Sequence, residues 1–365
     1  MEKIKNSFGG VIFGLLMIIG GTILLWWNEG NNVKNIKSTN ELEKVAIEIV
    51  DAKVDSKNEG KAVVVSGDLA IADEELKDED FGVSVKTAKL SRHVDIYQWV
   101  ETSDTDDNGH TTYHYEKKWV TDHIEDSSNF HESGHDNPTS FRYPFQDTYA
   151  ENVTIGEFKL TNEQLAQFST EQTLGVGGAQ VPEGYTISGD YVTNQTADSP
   201  EIGNARIYWT YNTWKDATVL ANQKGNSFTD FVSKEGRKIN YVSEGKLSKA
   251  EVIENIRSGD KAMKWILRLV GALLIIFGYM AVINPLTTLT SFVPILGGIV
   301  GGVLNLIAFA IGLAHSLIVI AIAWFAARPI VAACCIAGVV LLIVLIVSLI
   351  KKNKNKKAPE PAPAN

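Results

Sequence analysis

Six of the seven histidines fall between residues 93 and 135: His93, His110, His114, His123, His131 and His135. The pairs His110/His114 and His131/His135 have the i, i+4 spacing that zinc sites use on a helix. The first pair, however, sits in an alternating strand pattern, where residues four apart lie about 13 Å from one another. The second sits in the turn-rich stretch NFHESGHDNP, and no HExxH occurs. Asp104, Asp106, Asn108 and Gly109 match the first half of a calcium-binding loop, with His110 and His114 close by. Position 12 of that loop would be Tyr115 where a bidentate Glu is needed. The stretch therefore reads as an acidic hairpin tip that is at most a weak metal loop, and neither a resident metal nor a cofactor is expected.

Covalent catalysis finds little support. The chain has no GxSxG, and its only cysteines, Cys334 and Cys335, are adjacent within an apolar run. A phosphate-cradling Walker loop is absent, as is a strand–GxGxxG–helix unit. These absences predict a protein that is not an enzyme, with an extracytoplasmic hydrolase the weakest alternative.

What must position these residues is a membrane anchor. Residues 265–350 are almost continuously apolar, interrupted by Arg268, His315 and Arg328. A second apolar run, 9–27, ends in Trp26-Trp27 and carries no small-x-small cleavage site. About 20 apolar residues span a bilayer as helix, and tryptophans favour its interfaces. Lysines 3 and 5, together with Lys351, Lys352, Lys354, Lys356 and Lys357, place both termini in the cytoplasm by the positive-inside rule. An even number of spans follows. The predicted order is a cytoplasmic N-terminus (1–7), a first span (8–27), a large extracytoplasmic domain (28–263) and a second span (264–283). An interfacial or re-entrant segment (284–304) follows, then spans over 305–327 and 329–350 and a basic, disordered tail (351–365). Those five lysines would contact anionic lipid. Gly297, Gly298, Gly301 and Gly302 offer small-xxx-small spacing for helix packing, either within the bundle or in a homo-oligomer.

The domain between the first two spans is acidic. Residues 28–263 carry 24 Lys and Arg against 41 Asp and Glu, a net charge of −17, while the remainder carries 10 against 2, a net of +8. Nucleic acid is excluded as a partner of such a surface. Runs rich in Val, Thr, Tyr and Trp over 62–70, 82–102, 111–124, 152–160 and 205–243 predict a β-rich α+β domain. A strand over 62–70 is expected to end in a turn at Ser66-Gly67-Asp68, and a short helix over 161–169 to be capped by Thr161. The second half echoes the first: Ser188-Gly189-Asp190 and ARIYWTYNTW follow the order of Ser66-Gly67-Asp68 and SRHVDIYQWV. An internal duplication and a mere sharing of turn chemistry both fit. Ser248 and Glu251 form a capping box that opens a helix running into the second span.

The stretch KLSRHVDIYQWVET (89–102), with Arg92, His93, Tyr97, Gln98, Trp99 and Glu101, resembles the transmembrane protein 43 (LUMA) family. Asn28-Glu29-Gly30, Phe81-Gly82-Val83, Asn129-Phe130, Gly134-His135, Asn137-Pro138 and the Trp265…Arg268…Gly271 entry to the second span are similar as well. The resemblance implies a scaffold with a large lumenal domain. Eukaryotic members lie in the endoplasmic reticulum and nuclear envelope with links to lamins and emerin; a bacterial member would lie in the cell membrane. It supplies no catalytic residue, and it marks 92–101 as a signature strand, structural rather than binding. The expected function is a non-catalytic membrane scaffold or envelope sensor. It would work through an unidentified membrane or extracytoplasmic protein partner and through self-association. The alternative is a ligand- or metal-sensing module, or a channel subunit, with its site in 104–135.

Overall fold

The computed structural model describes residues 2–71, 75–105, 111–290, 297–331, 333 and 337. They fall into two compact units, Met1–Asn35 with Asp260–Asn365, and Ile36–Gly259. Among the described residues, three helices are long and apolar enough to cross a membrane: α1 (Glu2–Val45), α3 (Lys249–Thr290) and α4 (Gly297–Ala326). Of the segment 284–304, residues 284–290 belong to α3 and 297–304 to α4. The tail lysines 351–357 lie outside the described residues.

In the first unit the helices meet through notches. A Cβ on Gly278 would lie 2.7 Å from the Gly14 carbonyl oxygen, and one on Gly21 2.8 Å from that of Gly271. Without side chains at these points the two backbones approach closely, which supplies dispersion where lipid provides no hydrophobic drive. Leu25, Ile275 and Val319 close the small core between them. Among the described residues, nothing lies within 4 Å of a Cβ at Gly301 or Gly302.

The second unit holds two seven-stranded sheets. The first runs β15 (Ser227–Thr229), β14 (Asp216–Lys224), β2 (Ala62–Ile71), β8 (Val153–Ile155) and β9 (Phe158–Lys159), with β1 (Ile47–Ile49) on β2 and β18 (Tyr241–Glu244) on β14. The second runs β11 (Thr186–Ser188), β12 (Tyr191–Thr193), β13 (Ala205–Tyr211), β5 (Lys89–Thr105) and β6 (Thr111–Thr121), with β10 (Gln172–Leu174) on β13 and β7 (Gln146–Tyr149) on β5. Two short pairs complete the unit, β3 (Leu76–Lys77) with β4 (Ser84–Val85) and β16 (Phe231–Val232) with β17 (Lys238–Ile239).

The first sheet is covered on both faces, which explains the unbroken apolar run Ala62-Val63-Val64-Val65. Val63 and Val65 pack with Phe158, Leu165 and Phe168, while Ala62 and Val64 pack with Leu42, Leu220, Val252 and Ile256. The second sheet buries one face around Phe81, Leu90, Val94, Ile96, Ile207 and Trp209. Its long strand β5 accordingly alternates inward and outward residues through its middle.

Local signals act as their chemistry requires. Thr161 caps α2 (Asn162–Leu165) in a reciprocal box with Gln164, and Ser248 does the same for Glu251 at the start of α3. The expected turn at Ser66-Gly67-Asp68 does not form. β2 continues through it to Ile71, because β14 pairs with β2 across Asp68 and Gly67 makes room for Ile155. Its counterpart Gly189 does turn, between β11 and β12, so the two echoing stretches occupy different settings; β5 and β13 are direct antiparallel neighbours in one sheet.

Candidate functional site

The signature strand β5 divides its residues between two faces. Arg92 points inward and is 3% exposed. Its Nη1 donates to both oxygens of Asp78, at 3.0 and 3.1 Å, and to Asp80 Oδ2 at 2.7 Å. Its Nε reaches the Pro144 carbonyl and its Nη2 reaches Gln146 Oε1. Trp209 donates its indole N–H to Asp78 Oδ2 at 2.8 Å. This forked, buried pair is fully engaged, as a charge in a low-dielectric core must be. Gln98, also inward and fully buried, donates to the His123 carbonyl and accepts the Glu125 amide, pinning the chain that leaves β6.

The outward residues are His93, Tyr97, Trp99 and Glu101. His93 stacks on Tyr208 with ring centres 5.0 Å apart and also meets Phe145. Its Nδ1 lies 2.7 Å from Asp122 Oδ2, and its Nε2 lies 2.9 Å from Thr210 Oγ1. Asp122 holds a left-handed backbone (φ 64°) and accepts the Val94 amide through its other oxygen. An acid–imidazole–hydroxyl row is the arrangement of nucleophilic catalysis. Here, though, Thr210 donates onward to Thr170, Thr170 to Ser91 and Ser91 to Asp147. The row thus continues from His93 through Thr210 to Thr170, Ser91 and Asp147 and ties β13, β5 and β7 together. Burial, with Asp95 and Asp122 nearby, pushes the Tyr208 phenol up to about 12, so it stays neutral.

Further along β5 the histidines become braces. Asn137 clips the Trp99 backbone through both its N–H and its carbonyl. His135 stacks on Tyr115 at 3.8 Å and meets Trp99 edge-on, while His131 stacks on Tyr113 at 3.6 Å. Glu101 accepts from the Tyr115 hydroxyl at 2.5 Å and the His131 amide at 2.7 Å, and pairs with His131 Nδ1 at 2.9 Å. Burial would raise the Glu101 carboxyl, but those hydrogen bonds outweigh it and hold it at about 2. Tyr97 packs on Trp119, and the Arg206 guanidinium lies 4.0 Å from the centre of that indole ring.

At the proposed metal loop, His114 meets Asp104 at 3.4 Å on the exposed hairpin. Asp106, Asn108 and His110 lie outside the described residues. Among the described residues no three His, Cys, Asp or Glu side chains gather as a metal site. Gly297 and Gly298 begin α4, and of their surroundings nothing is described.

In the helical unit, Arg268 is paired with an acid. Its Nε donates to Glu29 Oε1 at 2.7 Å and its Nη2 lies 2.7 Å from the same oxygen in an ion pair, and Glu29 is fully buried. Arg328 Nη1 lies 3.9 Å from Glu29 Oε2. Asn28 donates to the Lys264 carbonyl at 3.1 Å. His315 sits between Thr22 and the Tyr279 hydroxyl, at 3.5 and 3.2 Å. These contacts gather the ends that carry Trp27, Trp265 and Trp324 at one end of the helical unit.

A family model described as "Transmembrane protein 43" matches residues 96–329. The chain belongs to this family. Curated relatives named as transmembrane protein 43 are 27% identical in mouse and in human, over 95% of this chain and 91% of each relative. The Drosophila melanogaster homolog is 28% identical over 91% of this chain and 93% of its own length. No solved structure matches. With its family and the three apolar helices among its described residues, this chain is a membrane protein.

Glu29, Asp78, Asp122 and Trp209 were not expected as site residues. A buried arginine always demands an acid, but sequence distances such as the 239 residues between Glu29 and Arg268 conceal which one.

Proposed function

We propose that this chain is a non-catalytic membrane scaffold or envelope sensor. Its β-rich domain, read as extracytoplasmic with both termini in the cytoplasm, makes the protein contacts, and its helices self-associate. The observation that carries this reading is the use of the reactive side chains of the signature strand. Arg92, His93 and Glu101 are all committed to holding strands and loops together, and the Thr210 hydroxyl beside His93 donates to Thr170. What is left is a firm surface. Support for self-association comes from the glycines: those at 14, 21, 271 and 278 are consumed by packing between α1 and α3, whereas among the described residues nothing lies within 4 Å of a Cβ at Gly301 or Gly302.

The test is the mass of the full chain in mild detergent. An oligomer is expected, weakened by Gly302→Leu with the melting point kept. Gly278→Leu, whose side chain would collide with the Gly14 carbonyl, should lower the melting point itself. A monomeric parent protein, or an oligomer indifferent to Gly302→Leu, refutes the self-association. A polar hollow of about 580 Å³ lined by Asp190, Tyr191, Gln195, Asp198 and Arg206 favours ligand capture as the second reading.

A further inference from the structure

The acids and bases around Glu29 do not balance. Arg268 takes one carboxylate oxygen at 2.7 Å, and Arg328 stands 3.9 Å from the other, too far for a hydrogen bond. Lys264 lies within electrostatic reach of Glu29, Arg268 and Arg328, with Lys261 adding a further positive charge. Two guanidiniums thus face one carboxylate, whose Oε2 has no hydrogen-bond partner among the described residues, and Lys264 stands one turn before Arg268 on α3. Asp260, one turn before Lys264 on α3, is bonded to Asn35.

Arg328 carries the second observation. Its Nη1 is buried yet has no hydrogen-bond partner among the described residues. Leaving a guanidinium N–H dry and unpaired is expensive. The surroundings say what would satisfy it. The Trp265 ring covers Arg268 at 4.7 Å and the Trp324 ring covers Arg328 at 4.9 Å. Trp27, Trp265, Ile266 and Leu269 are exposed around them. Exposed tryptophan beside exposed aliphatic residues marks the level where acyl chains give way to headgroups. At that depth the abundant anion is a lipid phosphate, and arginine forks bind phosphate with two parallel hydrogen bonds.

We infer that Arg268, Arg328 and Lys264 form a binding site for the phosphate of an anionic phospholipid, with Glu29 as the positioning residue that fixes the Arg268 fork. The acyl chains lie along the exposed faces of α1 and α3, and the headgroup supplies the negative charge that Glu29 alone does not. The tail lysines would attract anionic lipid only diffusely, whereas this site discriminates by hydrogen bonding.

The test is native mass spectrometry of the full chain, stripped of lipid in mild detergent. It is titrated separately with dioleoylphosphatidylglycerol, dioleoylphosphatidylcholine and inorganic phosphate. Phosphatidylglycerol should bind in preference to phosphatidylcholine. Arg328→Gln should weaken it about tenfold, the effect of one charge-assisted hydrogen bond. Arg328→Lys keeps the charge without the fork and should show a smaller loss, which guards against misfolding of the Gln variant. Serine at positions 351, 352, 354, 356 and 357 should leave the preference intact. Equal binding of the two lipids overturns the site, as does indifference to both Arg328 variants or a preference lost with the tail lysines. Binding of inorganic phosphate as tight as that of the lipid would overturn the lipid as its source.

Discussion

Asp78→Ala tests how the β-rich unit is held together. The substitution removes both carboxylate oxygens from Arg92 Nη1 and the only acceptor that Trp209 Nε1 has in this core, and it frees the Asp80 amide from Asp78 Oδ1. Breaking a buried pair by deleting one partner costs about 3–5 kcal/mol. The lower end applies, because Asp80 and Gln146 still hold the guanidinium. An orphaned indole N–H adds about 1 kcal/mol. The total is about 4 kcal/mol. At roughly 2–4 °C per kcal/mol for a unit of this size, the melting point should fall by about 8–16 °C. The assay is thermal unfolding of the full chain in detergent, followed by tryptophan fluorescence, in which the buried Trp209 is itself a reporter. The double variant Asp78→Ala/Arg92→Met removes the stranded charge and should regain part of the loss. A drop of only a degree or two for Asp78→Ala, or a double variant worse than the sum of its parts, would refute the view that this pair carries the core.

The Glu101 clasp should respond to acid. Its carboxyl is held at about 2, below its ordinary 4.5, so its contribution is complete above about 4.5 and fades as pH falls toward 2. Hydrogen exchange of the His131 and Glu132 amides should therefore accelerate across that window, and Glu101→Gln should abolish the dependence; a flat profile in the parent protein removes the clasp. In the helical unit, Glu29→Ala strands Arg268 and should destabilise the detergent-solubilised protein by about 3 kcal/mol. Adding Arg268→Met should return much of it, and a single variant as stable as the parent protein would mean that water already solvates the pair.

Sequence pattern exposed whatever depends on neighbours along the chain. The strand run that becomes β5 and the Thr161 cap are short-range signals that appear where they were expected. The apolar runs gave helices but not their ends, since α3 continues to Thr290 and α4 begins at Gly297 inside the segment expected to be interfacial. The span expected over 329–350 lies almost wholly outside the described residues. What stayed hidden depends on closure over long distances. Gly67 looks like a turn residue beside Ser66 and Asp68, but the pairing of β14 with β2 and the side chain of Ile155 override that preference. Of the two histidine pairs with zinc-like spacing, His131 and His135 are received as stacked rings by Tyr113 and Tyr115, two residues apart on one strand face. Periodicity names the face of a residue and leaves its partner open.

Both units spend a buried carboxylate in the same way: Asp78 is shared by an arginine and a tryptophan, and Glu29 by an arginine that a tryptophan covers. A hydrophobic replacement could give equal or greater stability, so stability alone does not account for such pairs. What they contribute is register. In lipid, apolar faces slide past one another at little cost, and the glycine notches at 14 and 278 fix how close two helices come without fixing which turns face each other. A single acid bonded to Arg268 sets that alignment, because one step along the helix would leave both charges unpaired. In the second sheet the Arg92–Asp78 bond does the same for β5, whose outward face would otherwise accept a slip by two residues. A slip by two would move His93 and Glu101 away from Asp122 and His131 together. The buried charges therefore preserve the outer surface, and any partner would meet residues 97–105 and 111–135 in one fixed arrangement.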